Sequence, residues 1–308
     1  MINRRNIRVK VMQTLYTITT LEAETKPGDV VKILQKHFDQ TRQLFIYLVY
    51  FLSELARYAE TSAHNRASKH LPTYEDLHVN TKLSGNEILL KINEDPSFRE
   101  FAKKDRPELL LDKELVKRIY QDMVETKEYK AYLAKPKREK KEEREILEFI
   151  LEKFMLEKEN FLSHVEENFT NWDDDAEMVI LLLTNYLQKP GSYNFKEMIS
   201  EEKWNFAKDL LQTVREKSEH LEGLVIPKLK NWDPERIALL DMILMKMGVA
   251  EFLYFETIPP KVTINEYIDL AKEYSTSQSG QFVNGILDNI HKELVQQGKM
   301  HKVEYKKA

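Results

Sequence analysis

Hydrophobic and polar positions follow the period of an α-helix in every segment of this chain that shows a clear pattern. Residues 4–22 carry one apolar stripe with spacings of four, four and three, formed by Ile7, Val11, Leu15 and Ile18. Residues 29–60 are apolar over more than one face around "LFIYLVYFL", which predicts a central helix. From Glu201 onward the helix signals are nearly continuous, and no segment alternates like a strand. The pattern predicts an all-α fold.

The middle of the chain gives weaker signals. Residues 62–95 lack clean periodicity and predict loops and short helices, whereas residues 97–134 return to helical spacing. The mixed-charge run "KPKREKKEERE" at 135–145 indicates either a solvated helix start, which we favour, or an RNA-binding arm. Asp173–Asp175 fall in the first turn of a later helix, where carboxylates suit the helix dipole.

Two helix starts are predicted in the last third of the chain. Asp233 before Pro234 has the pattern of an N-cap followed by a first-turn proline. Thr263 and Glu266 have the spacing of a capping box. The helix after the first start is apolar nearly all round, and its interruptions lie on one narrow arc, which indicates contact with solvent or a partner. These interruptions are Asp241, Gly248 and Glu251.

Composition narrows the class of protein. The 308 residues include only 8 Gly and 10 Pro, which disfavours an all-β fold, and 32% charged residues suit solvated helices. The absence of cysteine excludes disulfides and thiolate chemistry. With no signal peptide and no apolar stretch of ~20 residues, we expect a cytoplasmic protein without a membrane partner. We expect an expanded helical region at 1–200 and a C-terminal bundle at 201–308.

Charge points to one local patch. The net charge of -4 argues against a protein that coats nucleic acid over its whole surface. Residues 1–21 nevertheless hold four bases and no acid. Three of the bases fall within about 100° of arc on the first helix, and they could form a plain solvated face or contact phosphates. They are Arg4, Arg5 and Arg8.

Motifs that carry catalysis are absent from the sequence. There is no phosphate-binding G-x-x-x-x-G-K-[ST] or G-x-G-x-x-G loop, no H-E-x-x-H and no G-x-S-x-G. His64 and His70 lie six residues apart without carboxylates at matching helical offsets. We therefore predict no enzyme, no cofactor and no metal site.

The segment "IPPKVTINEYIDLAKEYSTSQSGQFVNGILDNI" at 258–290 resembles the C-terminal signature of the NusB family of transcription antitermination factors. The resemblance extends back to about Trp204, and "RRNIRVKVMQTLY" near the N-terminus is similar to the family's arginine-rich first helix. It implies two packed helical bundles. It also implies binding of boxA-containing rRNA transcripts with the ribosomal protein NusE, within an RNA polymerase antitermination complex. Family members are about half this length, so residues 23–200 are an expansion of unknown purpose.

The resemblance also implies site residues. The implied RNA-binding residues are Arg4, Arg5, Arg8, Tyr16, Gln278, Ser279, Gln281 and Phe282. The implied partner-binding residues are Asp241 and Glu251. The sequence departs from the family pattern at Gln278, Gly280 and Gln281.

Elementary chemistry agrees with an RNA site at "STSQSG". A helix start offers free N–H groups and hydroxyls to a phosphate, and Phe282 could stack on an unpaired base or be a core aromatic. Gly285 would allow a neighbouring helix to approach, with Asn284 bonding at the crossing. Two alternatives stay open: a protein-only scaffold for a ribosomal or transcription partner, and an RNA-modifying enzyme, for which the required Gly-rich loop is missing.

Overall fold

The computed structural model describes residues 2–21, 26–229 and 236–303. These residues form α-helices and no strand, which confirms the all-α prediction. They divide into two compact units, one of residues 39–198 and one of residues 2–38 with 199–308. The predicted division at residue 200 placed the first 38 residues with the expansion, whereas their contacts group them with the C-terminal unit.

The unit 39–198 holds most of one long helix and the eight helices that follow it. They are α2 (Pro27–Ala67), α3 (Tyr74–Leu77), α4 (Glu87–Glu94), α5 (Pro96–Asp105), α6 (Lys113–Val124), α7 (Lys127–Ala134), α8 (Lys140–Ile150), α9 (Glu159–Asn168) and α10 (Trp172–Gln188). Short 3₁₀ turns lie at Lys82–Gly85, Pro107–Leu109 and Phe195–Glu197, and a π-helical segment, Leu151–Leu156, continues α8.

The central stretch of α2 is the core of this unit. Every side chain from Leu44 to Val49 is fully buried, which confirms that the helix is surrounded by protein. The ring of Phe45 contacts the rings of Tyr186 and Phe195 at centroid distances of 5.8 and 5.4 Å. A helix that is apolar on all faces needs neighbours on all faces, and α2 has them.

The mixed-charge run at 135–145 is not simply a solvated helix start. Glu143 is fully buried, where it accepts hydrogen bonds from Tyr132 Oη at 2.7 Å and from Arg138 Nη1 at 3.0 Å. Lys82 Nζ donates to the carbonyls of Tyr132 and Lys135, both at 2.9 Å. Hydrogen bonds of charged side chains therefore connect the start of α8 with the end of α7. The sequence pattern predicted that these side chains are exposed to solvent.

The unit that contains the C-terminus consists of the start of α2 and six further helices. They are α1 (Arg4–Thr20), α11 (Glu201–Glu216), α12 (Ser218–Val225), α13 (Leu239–Tyr254), α14 (Pro260–Tyr274) and α15 (Ser279–Gln296). Helix α13 contacts each of the other five. It is buried along most of its length, as its composition predicted.

One of the two predicted helix starts is wrong, and the other lies outside the described residues. Helix α14 begins at Pro260, which occupies the first turn, so Thr263 is already inside the helix and caps nothing. The Thr263 hydroxyl donates instead to Glu251 Oε2 at 2.9 Å. The expected cap at Asp233–Pro234 falls in the range 230–235, which the structure does not describe.

The described ranges lack both a membrane-spanning helix and a metal-binding cluster. None of the helices has a stretch that is both long and apolar enough to cross a bilayer. No three His, Asp or Glu side chains there are grouped so that they could hold a metal ion.

Candidate nucleic-acid interface

The first turn of α1 presents two arginines at the surface. Asn3 caps the helix, its side chain accepting a hydrogen bond from the Asn6 backbone N–H at 2.9 Å. Arg4 and Arg5 are about 40% exposed, and each pairs with an exposed carboxylate, Arg4 with Glu202 at 2.8 Å and Arg5 with Glu273 at 2.6 Å. Surface pairs of this kind contribute about 0 to 1 kcal/mol, so a phosphate can replace the carboxylate at little cost.

Arg8 does not belong to this exposed face, which corrects its prediction as an RNA contact. Its side chain is 2% exposed, and it donates to Glu251 through Nε at 2.7 Å and Nη2 at 3.1 Å. Burial alone would lower the pKa of Arg8, but the hydrogen bonds and charge of Glu251 outweigh burial and raise it. Arg8 therefore stays positively charged. It lies inside the unit because α1 packs against both α11 and α13.

Glu251 is likewise an internal residue and not a partner-binding one. It is fully buried and accepts hydrogen bonds from Tyr267 Oη at 2.8 Å and from Thr263. Burial first, and then the charge of Glu251, raise the pKa of Tyr267 well above its usual value, so Tyr267 stays a donor. The carboxylate thus joins α1, α13 and α14.

The other two members of the arc on α13 also face the protein's own chain. A Cβ on Gly248 would lie 2.9 Å from a methyl carbon of Leu287, so this glycine permits the close approach of α15. Asp241 is buried and accepts a hydrogen bond from Ser279 Oγ at 2.8 Å. The arc therefore marks where neighbouring helices pack. Asp241 also lines a small surface pocket together with Phe282, so its assignment as a partner-binding residue stays a prediction.

The hydroxyls at the start of α15 are already engaged. Ser279 is 2% exposed, and besides donating to Asp241 it accepts from the Thr276 backbone N–H at 3.2 Å. The carboxylate of Asp241 therefore occupies the helix start that the sequence suggested for a phosphate. Ser279 cannot reach RNA in this arrangement, which corrects its assignment, whereas Gln278 and Gln281 beside it are exposed.

The glycine that allows close packing in this helix is Gly280 and not Gly285. A Cβ on Gly280 would lie 2.6 Å from Cγ of Lys272 on α14. A Cβ on Gly285 would meet nothing within 4 Å, and Asn284 beside it is exposed. The predicted helix crossing at Gly285 and Asn284 is therefore wrong.

Two adjoining pockets bring the remaining predicted residues together. One, of about 450 Å³, is lined by Met12, Tyr16 and Leu239, with Tyr16 45% exposed. The other, of about 160 Å³, is lined by Gln278 and Phe282, and Phe282 is half-buried. Ala238 lines both pockets, so they form one continuous surface, which we call the Ala238 surface.

The Ala238 surface includes a basic residue that the sequence analysis did not single out. Arg236 is exposed and lines the smaller pocket next to Phe282. It is the only Lys or Arg between Lys230 and Lys246, in the segment "NWDPERIALL". A single basic residue in an otherwise uncharged or acidic segment is a weak sequence signal. Only the fold shows that it lies beside an aromatic pocket.

The C-terminal part of the chain matches a known protein family. The NusB family model matches residues 169–292. These residues are similar to that family, and we call them the NusB domain. The match begins upstream of the boundary near Trp204 that the sequence resemblance indicated, and it includes the predicted residues from Asp241 to Phe282. The resemblance of α1 lies outside the matched range. The roles of Arg4, Arg5 and Tyr16, like those of Gln278 and Phe282 within the range, stay predictions.

Three relatives of the NusB domain share a name. The protein "Transcription antitermination protein NusB" of Chloroherpeton thalassium is 39% identical over 98 residues, which is 32% of this chain and 46% of that protein. The protein of the same name in Salinibacter ruber is 40% identical over 98 residues, 32% of this chain and 61% of that protein. That of Methylacidiphilum infernorum is 43% identical over 83 residues, 27% of this chain and 58% of that protein.

This chain therefore spans about half the length of the relatives that it matches. Those relatives are named for transcription antitermination and not for a catalytic activity, in line with the lack of enzyme motifs in the sequence.

Proposed function

We propose that the chain is an RNA-binding transcription antitermination factor that recognises boxA-type rRNA leader sequence together with the ribosomal protein NusE. The observation that carries the proposal is the Ala238 surface within and beside the NusB domain. It combines a half-buried aromatic ring, an exposed tyrosine, exposed amides and an exposed arginine. Aromatic rings beside basic residues are the usual means of holding unpaired bases and their phosphates.

The number of available cations sets the expected salt dependence. With Arg8 buried, the accessible arginines of α1 and of the Ala238 surface are the half-exposed Arg4 and Arg5 and the exposed Arg236. Each neutralised phosphate of a single strand contributes a slope of about -0.7 to the log–log plot of affinity against salt. We expect a slope of roughly -2 for this chain and weak binding in the absence of NusE. A slope near zero would contradict phosphate contact.

Aromatic variants test the Ala238 surface directly. Phe282→Ala and Tyr16→Ala should each weaken the binding of boxA RNA by about 1 to 3 kcal/mol, the range for loss of a base–aromatic stack. Tyr254→Ala is the matched control, because Tyr254 is 42% exposed at the far end of α13. Fluorescence anisotropy with and without NusE measures both effects. Equal affinities for all three variants would contradict the proposed surface.

One observation favours the scaffold alternative. The larger pocket of the Ala238 surface is lined mainly by apolar residues, and Leu239 is exposed there, which suits a protein side chain. A scaffold would bind NusE normally and boxA RNA negligibly. For a scaffold, the unmodified chain should not bind boxA RNA, and Leu239→Asp should abolish NusE binding. These two results together would favour the scaffold over the RNA-binding factor.

A further inference from the structure

The unit 39–198 contains a pocket of its own, and most of its lining lies before residue 169, where the match to the NusB family begins. It has a volume of about 220 Å³ and lies among α2, the end of α5 and the turn between α9 and α10. Its apolar lining includes Phe169, whose ring centroid lies 5.1 Å from that of Tyr47. The Tyr47 hydroxyl is within 2.5 Å of His164 Nε2, so the tyrosine is fixed in place.

Two carboxamides line the pocket without a partner of their own. Gln40 and Gln43 are half-buried on α2, and neither is hydrogen-bonded to a residue in the described ranges. Asn171, by contrast, is committed to Asp175, to which its Nδ2 donates at 2.6 Å. The pocket therefore offers two free amides, each with donors and an acceptor.

Arg106 at the rim has an unusual backbone. Its φ of 51° and ψ of 54° make it the one non-glycine residue with positive φ in the described ranges. Its N–H closes α5 by donating to the Ala102 carbonyl at 3.0 Å, a position where glycine is the usual choice. Within the described ranges its guanidinium pairs only with Glu108, with 3.4 Å between Nε and Oε1. Backbone strain of this kind is typical of ligand-binding positions, which suggests that the arginine is present for its side chain.

The charged group that is built into the pocket lining is held inside the unit by Arg42. Asp105, the carboxylate in its lining, is buried and accepts from Arg42 at 2.9 and 3.0 Å. Arg42 also pairs with Asp39 through Nη1, so one guanidinium is shared by two carboxylates, and the Asp105 side chain is only 4% exposed to the pocket. A ligand therefore meets amides, apolar groups and the guanidinium of Arg106.

We propose that this pocket binds one nucleotide of a single-stranded RNA. The amides of Gln40 and Gln43 contact the edge of the base, the apolar lining packs on its face, and Arg106 contacts a phosphate. Carboxamides match the donor and acceptor pattern of base edges, and an unpaired base exposes both its edge and its face. Most of the site lies outside the residues that match the NusB family, and the proposal goes beyond the boxA function proposed above, which it does not require.

Variants of Arg106 separate a binding role from a structural one. The probe is a labelled ten-nucleotide oligouridylate whose affinity is measured by anisotropy. Arg106→Gly relaxes the backbone, so the melting temperature should hold or rise while affinity falls about tenfold, as for loss of one charge-assisted contact. Glu108→Gln should tighten binding, because it frees the guanidinium. Arg118→Ala, an exposed arginine on α6, removes the same charge elsewhere and should change affinity less than twofold.

Photo-crosslinking locates the contact. Oligouridylate carrying 4-thiouridine should crosslink to peptides that contain residues 105–110 or 168–171. Crosslinks confined to residues 4–16 and 236–282 would overturn this inference and leave the boxA proposal standing. Equal losses of affinity in Arg106→Gly and Arg118→Ala would also overturn it, as would binding of a peptide but not RNA at the pocket.

Discussion

The buried pair of Arg8 and Glu251 allows a quantitative prediction about a residue that the sequence placed on the RNA surface. Replacing Arg8 with Met keeps the apolar volume of the side chain but leaves the fully buried Glu251 without its cation. Removing one partner of a buried ion pair costs about 3 to 5 kcal/mol of unfolding free energy. Thr263 and Tyr267 still donate to the carboxylate, so we expect the lower end, about 3 kcal/mol.

A double-mutant cycle then isolates the pair. Glu251→Gln removes the charge and keeps an acceptor for the two hydroxyls, so the double variant Arg8→Met/Glu251→Gln should be more stable than Arg8→Met alone. We expect a coupling energy of about 2 kcal/mol, within the range for residues in one network. Hydrogen exchange of the α1 and α13 amides is the suitable assay, because it measures opening of this unit separately from the unit 39–198.

RNA affinity decides between the two roles of Arg8. If Arg8 is structural, the double variant should bind boxA RNA within about twofold of the unmodified chain, because a factor of two is only ~0.4 kcal/mol. If Arg8 contacts RNA, affinity should stay low in the double variant even though stability recovers. That second result, or a cost below ~1 kcal/mol for Arg8→Met, would refute our account of the pair.

Three further predictions test smaller features. Ser279→Ala leaves the buried Asp241 carboxylate without its donor and should cost about 1 to 3 kcal/mol in urea unfolding, without lowering RNA affinity beyond the loss of fold. Gly285→Ala should raise stability by up to about 1 kcal/mol, because nothing lies within 4 Å of the new methyl, whereas Gly280→Ala should lower it through contact with Lys272. The hydrogen bonds from Arg66 and then Lys69 lower the pKa of Asp76, so its contribution is fully present above the ordinary value of about 3.8 and is lost progressively as pH falls from there through the lowered value. Asp76→Asn should therefore lower the melting temperature by more at pH 7 than at pH 2.

The sequence predicted the helices well because the signal for them is local. A stripe of apolar residues at helical spacing identifies α1, α2 and α13 whatever they pack against. The stripe could not show how many faces of each helix pack against neighbouring helices. Helix α1 is buried by two neighbours, so Arg8 and Lys10, which lie beside the stripe, are buried with it. A lone basic residue on such a helix has the same sequence pattern whether its partner is a distant carboxylate or a phosphate.

The site was harder to predict because its residues come together only in the fold. Tyr16 and Phe282 are 266 positions apart in the sequence, yet both line pockets that reach Ala238. The family resemblance named both, while Arg236 had no motif to mark it. In the unit 39–198 the hydropathy pattern could not predict the positive φ of Arg106, because the residue at this turn is not a glycine.

The internal polar contacts explain how the Ala238 surface is assembled. Arg8 is bound to Glu251 near the end of α13, while Met12 and Tyr16, further along α1, line a pocket with Leu239 at the start of α13. The two helices therefore run antiparallel, and the buried ion pair fixes their register. Ser279 similarly fixes the start of α15 to Asp241, one turn before Phe282. Residues that cannot themselves reach RNA thus hold Tyr16 and Phe282 around Ala238, so their loss should reduce RNA affinity only as far as it frees those two helices.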